Sequence, residues 1–109
     1  MFYYIARTMF YYIEVMSMPD FDSGWIQTDG GVVLQHNLGT TELFIYAMYQ
    51  TGTGNIEMVT PDRMQWWALD NSTVSVRLMG VSSGEICRIL IWKLVNILHN
   101  FLFGSDNPS

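Results

Sequence analysis

Thr73-Val74-Ser75-Val76-Arg77-Leu78-Met79 and, one turn later, Ile86-Cys87-Arg88-Ile89-Leu90-Ile91-Trp92 are the stretches that decide the fold. In the first, Val74, Val76 and Leu78 share one side, and Thr73, Ser75 and Arg77 the other. In the second, Cys87, Ile89 and Ile91 stand opposite Ile86, Arg88, Leu90 and Trp92. Alternation at period two marks a strand with two unlike faces, one of them turned to a core.

Working outward, the run at 43–50 is apolar and aromatic and reads as a central strand. Shorter strand-like runs lie at 25–28, 32–34, 56–59 and 64–69. Between them stand turn residues: Pro19, Asp20, Asp22 and Gly24; Asp29-Gly30-Gly31; His36-Asn37-Leu38-Gly39; Gly52 and Gly54; Pro61-Asp62; Asp70-Asn71-Ser72; Ser82-Ser83-Gly84. Glycine takes positive φ without steric cost, and Asp and Asn bond to nearby backbone. Turn signals at this spacing predict an all-β fold, an antiparallel β-sandwich of about six to eight short strands. No segment has the length and helical period of a βαβ crossover, so a parallel sheet is not expected.

The two ends depart from this pattern. Residues 1–5, Met-Phe-Tyr-Tyr-Ile, recur as residues 9–13. The aromatic content predicts one or two strands, paired with a neighbouring subunit. Arg7 interrupts the apolar run, so neither a signal peptide nor a membrane span is expected. At the other end Leu94, Ile97, Leu98 and Phe101 recur at helical spacing, with Gly104 as the stop. The expected organisation is an N-terminal strand extension at 1–18 and a sandwich domain at 19–92. A hydrophobic extension at 93–109 follows, with a short C-terminal helix and a polar tail.

Composition limits function. Charged residues make up 14% of the 109-residue chain, against roughly 25% in typical soluble domains. A surface so poor in charge points to cover by other subunits or by a membrane. Net charge is −5, and the five basic residues are scattered. Binding to nucleic acid, or to a membrane through a basic patch, is therefore not expected. The single cysteine, Cys87, lies in an alternating apolar strand and reads as a small core residue. The two histidines, His36 and His99, stand apart from Cys and from paired carboxylates. No metal and no cofactor is expected, and no strained nucleophile motif marks a hydrolase.

Trp66-Trp67 is the most informative pair. Neighbours on a strand face opposite sides, so one indole can enter the core while the other faces solvent, a ligand or a partner; the alternative is that both are buried, in the core or in a subunit interface. An exposed Trp beside polar groups holds a sugar by stacking and hydrogen bonding. The candidate ligand-binding residues are Trp66, Trp67, Arg63, Asp70 and His36; Trp25 is expected in the core.

Several elements occur in a set order: Asp22-Ser23-Gly24-Trp25; His36-Asn37-Leu38-Gly39; Trp67 with Asp70-Asn71-Ser72-Thr73-Val74; and a closing Arg88-Ile89-Leu90-Ile91-Trp92. Over 22–92 this set resembles the H-type lectin-like β-sandwich modules of invertebrate agglutinins and of bacterial and phage surface proteins. The resemblance implies a homotrimer with a glycan site in a groove between subunits. It carries over no sugar-contacting residue by position.

The leading expectation is a non-enzymatic recognition and assembly module with a carbohydrate ligand. It would sit outside the cell or on a particle surface, such as a phage tail or fibre. The first alternative is a purely structural subunit of a virion or filament. The second is a small hydrolase.

Overall fold

Alternation becomes pairing in the computed structural model, which describes residues 18–28, 30–81 and 84–103. The strands are β1 (Phe21–Gln27), β2 (Gly31–Gln35), β3 (Leu43–Gln50), β4 (Ile56–Met58), β5 (Met64–Ala68), β6 (Thr73–Leu78) and β7 (Ile86–Lys93); one helix, α1 (Leu94–Phe103), follows. They form a four-stranded sheet in the order β1-β7-β3-β4 and a three-stranded sheet in the order β2-β6-β5. Every pairing is antiparallel. The repeated segment at 1–5 and 9–13 lies outside the described residues, as does the tail beyond Phe103.

The core lies between the sheets. Leu34, Val74, Val76 and Leu78 come from the three-stranded sheet, and Ile45, Ala47, Tyr49, Cys87, Ile89 and Ile91 from the four-stranded one. Fully burying one Val, Leu or Ile stabilises by about 1.5–3 kcal/mol, so this set of facing rows dominates the fold.

Only β3–β4 and β5–β6 are hairpins; the connections β1–β2, β2–β3, β4–β5 and β6–β7 cross between sheets. The Gly30-Gly31 turn is therefore a corner and not a hairpin. Gly30 takes φ 88°, and its carbonyl accepts the Leu78 N–H at 2.8 Å. Buried Thr28 beside it contacts the Cys87 thiol at 3.6 Å.

Strand β1 reaches β7 through a bulge, with register slipping between Asp22 and Trp25. Gly24 supplies φ 68°, and its N–H donates to Asp22 Oδ1 at 2.8 Å. Ser23 Oγ accepts the Ile89 N–H at 2.8 Å, satisfying a donor that the bulge takes out of the ladder. Arg88 Nε donates to Asp22 Oδ1 at 2.9 Å, and a second guanidinium nitrogen bonds the other oxygen. That contact holds the Asp22 carboxyl below its usual range. The bulge also corrects the expectation for Trp25. An unbroken register would place it opposite Cys87, facing the core. The slip sets it opposite Arg88 instead, on the outer face, where it is 38% exposed.

Strand β7 runs into α1 without a loop. Asp20, ahead of β1, takes the place of a local cap. Its Oδ2 accepts the Lys93 N–H at 2.7 Å, and both oxygens accept the Asn96 amide at 3.1 Å. The Leu94 N–H donates to the Glu42 carbonyl at 3.0 Å. Two backbone donors at the helix start are thus met from other parts of the fold.

Ile89→Ala is expected to cost about 2–5 kcal/mol in urea denaturation, as cavity-forming core truncations do. Val33→Ala, on an exposed position, is expected to stay within about 0.5 kcal/mol. Equal effects would contradict the assignment of inner and outer rows.

Candidate functional site

Strand β5 divides its tryptophans. Trp66 lies opposite Val76 and packs against the core. Trp67 lies opposite Ser75 on the outer face and is 49% exposed. Because β6 pairs with β2 on its other side, two rows cross this face. One is Val33, Ser75 and Trp67; the next is Gly31, Arg77 and Gln65. Between them opens a shallow depression of about 680 Å³, with Gly30, Gly31 and Gly80 among its lining residues. Gly31 leaves bare backbone opposite Arg77, where a side chain would otherwise stand, so the floor is low on that side.

Chemically this is a stacking platform with polar neighbours. Trp67 offers a flat apolar ring. Arg77 offers a guanidinium, Gln65 an amide and Ser75 a hydroxyl on the same side of the sheet. Arg77 is exposed and has no ion-pair partner among the described residues.

The other three residues singled out from the sequence do not reach this platform. Arg63 ends a 3-10 turn, Pro61–Arg63, ahead of β5. Its guanidinium lies 5.3 Å from the centre of the Tyr49 ring, and its carbonyl accepts the Met79 N–H at 2.7 Å. Asp70 stands past the opposite end of β5, in the turn that leads into β6, and is not among the residues that line the depression. It is exposed, and its Oδ1 accepts the Ser72 N–H at 2.7 Å; that bond, foremost, lowers its pKa.

His36 joins Asp70 at that end, where its N–H donates to the Ser72 carbonyl at 2.8 Å. The side chain is buried. Its Nδ1 accepts the Leu38 N–H at 3.0 Å, which places the proton of the neutral ring on Nε2. Nε2 is buried and has no hydrogen-bond partner among the described residues. Desolvation lowers the His36 pKa, against a smaller opposing pull from Asp70. This imidazole therefore shapes the 36–39 turn, helped by the φ of 58° at Asn37 and 75° at Gly39.

Arg77, Gln65, Ser75 and Gly31 were not among the residues expected at the site. The outward side of 73–77 was legible as a polar row. What the sequence does not give is which strands flank it.

No group of three or more His, Cys, Asp or Glu among the described residues is placed to hold a metal ion. Burial pushes the Cys87 thiol up, which works against a thiolate nucleophile. No helix among the described residues is long and apolar enough to cross a membrane.

The His36 environment generates a pH dependence. Folding lowers its pKa, so the unfolded chain takes up the proton first as pH falls. Stability supported by the neutral ring is whole above about pH 6.5 and is lost progressively below it. Asp22 and Asp70 titrate lower and leave this window clear. Urea midpoints of the wild type are expected to drop between about pH 7.5 and about pH 5, and to drop less in His36→Gln. Identical drops would remove His36 as the cause.

Comparison with protein-family models, with curated proteins and with solved structures found no match to this chain.

Proposed function

We propose that this chain is a non-enzymatic recognition and assembly module: an oligomeric β-sandwich on an extracellular or particle surface, such as a phage tail or fibre, that binds carbohydrate. The observation that carries this reading is the half-exposed indole of Trp67 on an outer sheet face where the other outward side chains, Val33 apart, are polar. A sugar ring has an apolar C–H face that stacks on an indole, and hydroxyls at its rim that take hydrogen bonds. Gln65, Ser75 and Arg77 are placed to make those bonds. A stiff sheet fixes their spacing, so little ordering cost falls on binding.

Assembly is supported by the helix. Leu94 and Ile97 are partly covered, whereas Val95, Leu98 and Leu102 are 65%, 51% and 69% exposed. At spacings of three and four residues these exposed side chains form one apolar stripe. Such a stripe calls for cover, and a second copy of the chain supplies it. The trimer implied by the lectin-like resemblance is the expected state. The same stripe favours the second reading, a structural subunit of a particle with no small ligand.

On a glycan array the full-length protein is expected to bind at least one carbohydrate class, and Trp67→Ala to lose that binding by about tenfold or more, ~1.4 kcal/mol. Absence of binding to every sugar leaves the structural-subunit reading in its place. In light scattering, Leu98→Glu with Leu102→Glu is expected to lower the mass of the full-length oligomer toward the protomer. An unchanged mass counts against the helix as the contact.

A further inference from the structure

We infer that the Trp67 face selects a saccharide bearing a carboxylate, with Arg77 as the residue that reads the charge. This rests on the carbohydrate reading above and adds the ligand class. The outward positions of the three-stranded sheet are Gly31, Val33, Gln35, Gln65, Trp67, Thr73, Ser75 and Arg77. Arg77 is the one formal charge among them, in a chain whose net charge is −5. Other cations are committed or lie elsewhere. Arg88 is paired with Asp22, Arg63 lies over Tyr49, Lys93 ends a strand of the other sheet, and Arg7 is outside the described residues.

An exposed guanidinium beside a carboxylate is ordinarily neutralised by it. Here the row neighbours of Arg77 are a glycine and an amide, Gly31 and Gln65. Asp70 lies beyond the far end of the face and is engaged by Ser72. Arg77 sits two residues along β6 from Ser75, the residue opposite Trp67. Diagonal neighbours across such a pair are about 7–8 Å apart, which suits one sugar ring on the indole with its acid group at the guanidinium. Arginine grips a carboxylate through two parallel, charge-assisted N–H donors, which neutral hydroxyls match only with weaker bonds. At Gly31 a Cβ would meet nothing closer than the Val76 carbonyl at 3.6 Å. The glycine thus leaves free room beside Arg77 rather than answering a packing need.

An acidic peptide shares the charge but not the rest. Peptides dock by adding to a sheet edge or by filling successive side-chain pockets. This depression lies on the sheet face, and only Trp67 and Val33 give it apolar side chains from the outward rows.

The test uses the full-length protein with oligogalacturonate, alginate, hyaluronan and polysialic acid, each beside its carboxyl-reduced counterpart, in titration calorimetry. At least one acidic form is expected to bind about tenfold tighter than its reduced partner, with the gap narrowing as salt rises. Arg77→Gln is expected to weaken the acidic form more than the reduced form and so close the gap, and Trp67→Ala to weaken both. Equal binding of acidic and reduced forms, still sensitive to Trp67→Ala, overturns the charge selection and leaves the carbohydrate reading standing. No binding of any member overturns the inference; if the glycan array is also blank, the carbohydrate reading falls with it. Polyglutamate bound as tightly as the best acidic sugar, and unaffected by Trp67→Ala, overturns the saccharide class.

Discussion

Strand β7 is the constraint on which the rest of the molecule hangs. Its inner row, Cys87, Ile89 and Ile91, is fully enclosed, and both its edges are occupied, by β1 and by β3. A strand paired on both sides and buried on one has no freedom to slip, because a shift of one residue would turn its apolar row outward. The Asp22 and Ser23 contacts carry that fixity into β1. Asp20 carries it into the helix. The three-stranded sheet is then held by apolar contact across the core, and its outward rows are fixed by default.

Legibility in the sequence followed the range of the interaction that sets each feature. Alternation at 73–78 and 86–92 was plain because period two is a property of neighbouring residues. The division of Trp66 from Trp67 follows from the same rule, and the helix at 94–103 from spacing within a few turns. Trp25 reversed because the Gly24 bulge depends on Ile89 and Arg88, more than sixty residues away. The turn at Gly30-Gly31 was legible, but not that it is a corner between sheets, because local geometry does not say which sheet a strand enters. Arg77 and Gly31 went unrecognised at the site for the same reason: strand order is settled by pairing between distant segments. Arg63 and Asp70 lie near Trp67 in sequence, but an extended strand carries near neighbours apart and alternates their faces; His36 is far from Trp67 in sequence, and its bond to the Ser72 carbonyl holds it at the Asp70 end.

The two outer faces of the sandwich differ in kind. On the four-stranded sheet Phe44, Tyr46, Met48 and Leu90 are only partly exposed, and Trp92 is 2% exposed, edge-on to Phe44 at 6.1 Å. Large apolar and aromatic side chains dominate that face, around the Arg88–Asp22 ion pair. The other carries amides, hydroxyls and one guanidinium beside the exposed Trp67 and Val33. Low overall charge therefore conceals an asymmetry: large apolar groups crowd the first face, and smaller polar ones predominate on the second.

The direct passage from β7 into α1 has a mechanical consequence. Whatever grips the helix pulls along the axis of a strand held by ladders on both flanks. Hydrogen bonds between antiparallel strands run across that direction, so the load falls on many of them together and not on one after another. Tension directed along β7 is thus resisted in shear by the most enclosed part of the domain.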